Sequence, residues 1–297
     1  MELKVINDVG CYNSHPMPQR GYRVALSVAG SDSSAGAGIQ ADLKTFSALG
    51  VYGATAITAV TAQNTQGVFA IEALSPKIVY DQIVRVAEDL DPAAIKIGML
   101  ANAEVAEAVA DALALISRPI ILDPVMVSSS GHRLLSVEAQ EVVVRRLLPI
   151  SELVTPNIPE MAALTGMPLR SEDEKLLAAK SLIDLGARAV LLKGGHEEGN
   201  FKTDLLYRPS CGGVESLSFT TPTVNTKNIH GTGCTLSAAI AAFRALGYPL
   251  AEALREAKSY IAQAIAAGAD VVVGHGHGPV NHLFNPRKLE SYAKQEL

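Results

Sequence analysis

Cysteine is scarce in this chain. Its 297 residues hold three, at positions 11, 211 and 234, widely spaced and without a Cys-x-x-Cys pair. That argues against a disulfide framework or a structural zinc site and makes a reducing cytoplasm the expected location. No apolar run approaches the ~20 residues that a membrane helix needs, and residues 1–22 lack the apolar core of a signal peptide. Positive charge is not in excess: Lys and Arg number 25 against 30 Asp and Glu, for a net charge of −5. A nucleic-acid partner, which leaves a basic footprint, is therefore not expected. No Gly-Lys pair occurs anywhere, so the usual P-loop is missing. Long polar linkers, internal repeats and low-complexity tracts are missing too. What remains is the composition of an ordinary globular domain, with 48% hydrophobic and 19% charged residues, enough for a large core. The expected organisation is an extension over residues 1–22 and one domain over residues 23–297.

Short apolar runs at residues 24–29, 54–60, 94–97, 120–122, 153–154 and 189–192 read as strands. They alternate with helical patterns at 38–49, 77–90, 103–115, 172–185, 235–246 and 250–267, and residues 203–219 read as a hairpin. That alternation means βαβ units and a mostly parallel sheet, and near-continuous apolar strands mean cover on both faces. Several strands run out into polar or glycine-bearing ends: Gly30-Ser31-Asp32, Asp123-Pro124, Thr155-Pro156-Asn157 and Lys193-Gly194-Gly195. Ligands of open α/β sheets bind outside the carboxyl ends of the strands, so these residues are expected along one edge.

The most pointed motif is His230-Gly231-Thr232-Gly233-Cys234-Thr235, directly before a helical run. Two glycines and the unpaired N–H groups of a helix start make an anion site, most naturally for a phosphoryl group. At that helix start Cys234 is expected to gain thiolate character. Gly36-x-Gly38-x-x-Ala41 mimics a dinucleotide fingerprint, but the acidic residue it needs about 20 positions on is missing, which disfavours a dehydrogenase. A loop lining a small-molecule pocket, with Asp42 on the first helical turn facing it, fits better. Gln63 follows a strand and carries both donor and acceptor, as a heteroaromatic ring with adjacent nitrogen and amino group requires; a surface-turn role is the alternative. Asp123 and Glu160, with Asn157 beside the latter, suit a magnesium ion held partly through water. Singly, each carboxylate also reads as a turn or helix-cap residue. Lys193, at the end of an apolar strand, is placed to meet a nucleotide phosphate. His275 and His277 read as part of a glycine-bounded loop rather than a metal site.

In order along the chain stand Ala29-Gly-Ser-Asp-Ser-Ser34, the run from Gly36 to Gly50, Ala62-Gln-Asn-Thr65, Lys96-Ile-Gly-Met-Leu100, Asp123-Pro-Val-Met126, Thr155-Pro-Asn-Ile-Pro-Glu160, Lys193-Gly-Gly-His196 and His230-Gly-Thr-Gly-Cys-Thr235. Through these motifs the chain resembles, over residues 24–283, the hydroxymethylpyrimidine/phosphomethylpyrimidine kinases of thiamine biosynthesis, within the ribokinase-like superfamily. The resemblance implies a three-layer α/β/α sandwich with a mostly parallel central sheet. It implies ATP and Mg2+ as partners of a small pyrimidine substrate that is phosphorylated twice, and a homodimer. By resemblance Gln63, Asp42 and Gly30 bind the pyrimidine, with Met99 and Val125 as apolar walls. Gly231, Thr232, Gly233 and Cys234 form the catalytic anion hole, with Cys234 where most ribokinase relatives carry an aspartate. Asp123 and Glu160 serve the metal, and Lys193 and Asn157 the ATP.

The chain departs from the family pattern at Ile229, where a small hydroxyl residue is usual, and at Ala35, where glycine is common. A pyridoxal kinase of the same superfamily is the nearest alternative, although such kinases usually lack a glutamine where Gln63 stands. A non-catalytic nucleotide-binding relative is the other.

Overall fold

Burial explains the sheet. The structure, a computed structural model, describes residues 20–126, 134–195 and 199–293. His196 of the lysine-glycine motif and residues 1–19 of the expected extension lie outside them. In chain order the strands are β1 (Arg20–Tyr22), β2 (Val24–Asp32), β3 (Tyr52–Asn64), β4 (Gly67–Ala73), β5 (Ala94–Ile97), β6 (Ile120–Leu122), β7 (Leu153–Val154), β8 (Val190–Leu192), β9 (Phe201–Ser210), β10 (Gly213–Pro222) and β11 (Ser291–Ala293). Every residue of β5, β6, β7 and β8 is buried. Strands buried on both faces belong in the middle of a parallel sheet. Accordingly the nine-stranded sheet runs β10-β9-β8-β7-β6-β5-β2-β3-β4. Its central strands are parallel, and β4, β9 and β10 join antiparallel at the edges.

Helices cover both faces. Leu26, Val28, Ile95, Ile97, Ile120 and Leu122 point to one side, toward α2 (Pro76–Leu90), α3 (Ala103–Leu113), α4 (Val137–Val142), α5 (Ile158–Thr165) and α6 (Glu172–Asp184). Ala25, Ala94 and Ile121, one residue out of phase, point to the other side, toward α1 (Gly38–Ala48), α7 (Thr232–Ala245) and α8 (Leu250–Ala267). The same period of two turns Ser27 and Lys96 toward the α1/α7 face.

Two features of the path locate the site. The chain leaves β2 through α1 to β3 on one side and returns through α2 to β5 on the other. A crevice opens at such a switch point, outside the carboxyl ends of the strands, here at Gly30 to Asp32 and at Gly98 to Met99. In addition, β3 pairs with β2 as far as Thr61 and continues to Asn64 paired only with β4. The β3–β4 hairpin therefore projects past the sheet as a flap.

The predicted strands and long helices are present, with the hairpin longer at both ends than expected. Strands β1, β4 and β11 and helices α4 and α5 were not predicted. Arg20–Tyr22, within the expected extension, pairs with Ser291–Ala293 in a small separate sheet.

Candidate active site

Helix α7 starts at Thr232, three residues earlier than the sequence pattern suggested, which places Gly233 and Cys234 inside its first turn. Its cap, Gly231, has φ 78°, and a Cβ there would lie 1.8 Å from the Gly36 carbonyl oxygen. Only glycine combines that left-handed backbone with so close an approach. The Thr235 N–H closes the first helical bond, to the Gly231 carbonyl at 2.8 Å. The N–H groups of Gly233 and Cys234 are left without an intrahelical acceptor, at the positive end of the helix.

A charged cluster faces this turn. A Cβ added to Gly233 would sit 3.4 Å from Lys193 Nζ and 3.8 Å from Asp123 Oδ2. Lys193 Nζ donates to Asp123 Oδ1 at 2.8 Å and lies 3.6 Å from Glu160 Oε2. Ser237, one turn into α7, donates to Asp123 Oδ2 at 3.1 Å, and Thr155 donates to Oδ1 at 3.3 Å. Burial opposes the charge on Asp123, yet the Lys193 and Lys96 ammonium groups bring its carboxyl below the usual range. Burial and the Asp123 charge push Glu160 up against the pull of Lys193. The Lys193 side chain is 13% exposed, and the two carboxylates hold its ammonium above its ordinary range despite the desolvation.

The chain fixes this cluster from behind. Asn157 and Glu160 form a reciprocal capping box on α5, each side chain bonding the other's backbone N–H at 2.8 Å. The capping leaves the Asn157 amide N–H2 group as the part able to meet a ligand. Beyond Lys193, the Gly194 N–H donates to Asp204 Oδ1 at 2.9 Å, and Lys258 of α8 pairs with Asp204 Oδ2 at 2.6 Å.

Two expectations need correction. Asp42 lies a turn further into α1 than expected, and its side chain, 0% exposed, does not line the pocket. It pairs with Lys96, also 0% exposed, at 2.8 Å, and accepts from Ser27 Oγ at 2.5 Å. Its Oδ1 has no hydrogen-bond partner among the described residues. Burial lifts the Asp42 carboxyl against the pull of Lys96, while Asp42, Cys234 and Asp123 together keep Lys96 charged despite its own burial. Cys234 is the second correction. Its thiol is pushed up to about 11 rather than down, because burial, with Asp42 and Asp123 nearby, outweighs Lys96 and the N–H donated by Gly38. In the ligand-free protein the sulfur is a neutral thiol.

The pocket loop is organised by Asp32. Its carboxylate accepts from Ser34 N–H (2.8 Å) and Oγ (2.7 Å), Gly36 N–H (3.1 Å), Ala37 N–H (2.8 Å) and His230 Nε2 (2.8 Å). Burial raises its carboxyl, but these donors bring it down to about 2. A Cβ on Gly36 would lie 2.2 Å from the His230 ring, so the Gly30–Gly38 loop and the loop that caps α7 are packed together. Ala35 sits at φ 60°, which costs an alanine about 1–2 kcal/mol and explains why glycine suits this position better. An ionised Asp32 can only accept, so His230 Nε2 carries the proton. The Gln63 Nε2, 3.4 Å from it, therefore finds no acceptor there and is available to a ligand. Met99 packs its sulfur 3.0 Å from where a Gly30 Cβ would be. Half-buried Val125 follows Asp123 in a tight turn, its N–H on the Asp123 carbonyl at 2.8 Å.

The structure thus gathers Gly30, Gln63, Met99, Val125, Asp123, Asn157, Glu160, Lys193 and the Gly231–Cys234 turn at one edge, and seals Asp42 beneath it. Lys96, Ser237, Asp204 and the Asp32–His230 pair were not singled out from sequence. A signal existed for Lys96: a lysine inside the apolar strand Ala94–Ile97 demands a buried partner. Among the described residues, no group of three or more His, Cys, Asp or Glu is disposed as a metal cluster.

A doubly wound sheet that ends on a helix with free N-terminal amides, with a lysine and paired carboxylates beside it and no P-loop, is the ground plan of the ribokinase-like small-molecule kinases. Comparison with known proteins narrows the class. The family model for phosphomethylpyrimidine kinase matches residues 32–281, and the chain belongs to that family. It is 48% identical over 261 residues to the hydroxymethylpyrimidine/phosphomethylpyrimidine kinase of Rhizobium meliloti (strain 1021), covering 88% of this chain and 97% of that protein. The crystal structure of phosphomethylpyrimidine kinase from Clostridium difficile 630 matches with a TM-score of 0.70 and 43% identity, over 82% of this chain and 99% of that one. The pyridoxal kinase of Staphylococcus aureus in complex with pyridoxal matches with a TM-score of 0.80 and 32% identity, over 92% of this chain and 98% of that one.

Proposed function

We propose that the protein transfers the γ-phosphoryl group of ATP to the hydroxymethyl group of 4-amino-5-hydroxymethyl-2-methylpyrimidine, then phosphorylates the monophosphate to the diphosphate used for thiamine. The observation that carries this reading is that Gly233, in the first turn of α7, faces Lys193 and Asp123, which lie 3.4 and 3.8 Å from where its Cβ would be. The free amides of Gly233 and Cys234 would hold the charge that develops on the transferred group. Lys193 would neutralise the nucleotide phosphates as a point charge, and the Asn157 amide would donate to them. The Gln63 amide would read the ring nitrogen and amino group, with Gly30, Met99 and Val125 enclosing the ring.

Magnesium fits the donor set. Asp123 and Glu160 are hard oxygen ligands buried side by side, and kinases hold this ion through one or two carboxylates plus substrate phosphates. When bound, the ion would supply charge neutralisation at the phosphates. The chain does the rest by positioning, which is what phosphoryl transfer chiefly requires. Cys234, a neutral thiol in the free protein, is then an amide donor and a hydrogen-bonding neighbour of the attacking hydroxyl before it is a base.

This reading includes a single kinase domain over residues 23–297 acting as a cytoplasmic homodimer; among the described residues no helix is long and apolar enough to cross a membrane. The test is an ADP-release assay with the hydroxymethylpyrimidine, its monophosphate and pyridoxal side by side, on wild type and Gln63→Ala. The two pyrimidines should turn over better than pyridoxal. Loss of the Gln63 donor should raise KM for the pyrimidine about tenfold and leave KM for ATP unchanged. An unchanged pyrimidine KM removes Gln63 from the site; absence of ADP release with either pyrimidine overturns the kinase reading.

A further inference from the structure

The Gly274-His275-Gly276-His277-Gly278 loop lies outside the site, yet it holds the tip of the flap that bears Gln63. Thr65, in the turn between β3 and β4, is the contact. Its Oγ1 accepts the N–H of His275 at 3.2 Å and of Gly276 at 3.1 Å, and its carbonyl accepts the N–H of His277 at 2.9 Å.

The glycines make room for this seat. A Cβ on Gly274 would lie 2.4 Å from Thr65 Oγ1, and one on Gly276 would lie 1.9 Å from the Thr65 carbonyl oxygen. Gly274 also has φ +71°. The loop's other end reaches the anion site: the Gly278 carbonyl accepts the His230 N–H at 3.1 Å, and His230 precedes the cap of α7. A buried side chain fixes the loop from below, since a Gly278 Cβ would meet Asn228 Oδ1 at 2.3 Å while Asn228 Nδ2 donates to the Gly268 and Val271 carbonyls at 2.7 and 2.6 Å.

Gln63 is therefore held between two clasps. Ser33 takes its backbone on the pocket side, donating to the Gln63 carbonyl at 2.7 Å and accepting its N–H at 2.8 Å. Two residues on, the glycine-histidine loop takes Thr65. A flap that overhangs the sheet and pairs there only with edge strand β4 has little else to set its angle.

We propose that the Gly274–Gly278 loop is a positioning element for pyrimidine recognition, acting through Thr65 to hold Gln63 over the pocket, and that its attachment to His230 ties the ring site to the phosphoryl site. The histidine side chains have no part in this; the loop works through its backbone N–H groups and through the space its glycines leave. The inference rests on the reading of Gln63 as the ring contact.

Thr65→Val keeps the shape and removes the acceptor. It should raise KM for the pyrimidine about tenfold, as loss of a hydrogen-bonded positioning contact does, with kcat and KM for ATP within about twofold of wild type. Thr65→Ser should restore the wild-type value. Gly276→Ala, changed on the other partner and free of any backbone strain, should reproduce the rise by steric displacement of the flap. In a Gln63→Ala background, Thr65→Val should add nothing further, because contacts that act through one group are not additive. A Thr65→Val enzyme with unchanged pyrimidine KM, or with lowered kcat alone and a lowered Tm, overturns the positioning role whatever Gln63→Ala does. A raised KM in Thr65→Val beside an unchanged one in Gln63→Ala keeps the positioning role and removes the Gln63 reading instead.

Discussion

Gly233→Asp should abolish most turnover, lowering kcat by about 10³-fold or more, since loss of a single anion-hole donor already costs about 10²–10³. The reason is geometric. The new Cβ would be 3.4 Å from Lys193 Nζ and 3.8 Å from Asp123 Oδ2, so a carboxylate grown from it enters the space where the phosphoryl group has to pass. It would neutralise Lys193 from the wrong side and repel the phosphates. Gly233→Ala separates charge from bulk. Its Cβ makes ordinary contacts at those distances and its backbone is not in the left-handed region, so it should fold normally and lose at most about tenfold in kcat. Steady-state ADP release together with Tm reads both variants. Near-normal kcat in Gly233→Asp contradicts the anion-hole reading.

Lys193→Met should be comparably severe, for two coupled reasons. It removes the point charge offered to the nucleotide phosphates, which should raise KM for ATP and lower kcat by about 10²–10³-fold. It also leaves Glu160 and Asp123 buried with only Lys96, itself paired with Asp42, as a cation near Asp123, and breaking a buried ion pair from one side costs about 3–5 kcal/mol. The sign of the remedy follows. Anything that returns positive charge to the carboxylates should recover stability: protonation as pH falls, since Asp123 rises once Lys193 no longer holds it down, or a divalent cation. Tm of Lys193→Met should therefore rise with added Mg2+ by more than wild type does. Unchanged kcat/KM for ATP, or a Tm indifferent to both pH and Mg2+, removes Lys193 from the centre of the cluster.

Much of this was legible in the sequence because local chemistry fixed it. The bounds of β5, β6 and α8 coincide with the apolar patterns read from sequence. The glycine turn before α7 followed from two glycines before a helical run, although the helix begins earlier because Thr232 and the two residues after it already have helical backbone. Strand β4 was missed because its apolar residues do not alternate: Phe69 is 70% exposed on an edge strand, and the clue was the turn at Asn64 to Gly67. Helix α4 was missed because its pattern passes into a π turn (Val143–Leu147) and then a 3-10 turn carrying Pro149 (Leu148–Ile150), breaking the period.

The site's errors share one cause. Periodicity and motif spacing report what a residue can do but not how deeply it is buried. The helix start favours thiolate at Cys234, but desolvation exceeds it. Asp42 belongs to the right motif, but a lysine 54 residues away seals it inside the sheet–helix interface. The Asp32–His230 bond joins residues 198 apart. Both lay in recognised motifs, and nothing local to either showed that they meet.

The backbone amides of Gly233 and Cys234 are expected to receive the phosphoryl group during transfer. A crystal structure of the protein with the hydroxymethylpyrimidine and a non-hydrolysable ATP analogue tests it most directly. The γ-phosphate oxygens are expected at hydrogen-bond distance, about 3 Å, from both N–H groups, with the hydroxymethyl oxygen in line behind the phosphorus. A γ-phosphate bound elsewhere, with those two amides facing only water, contradicts it.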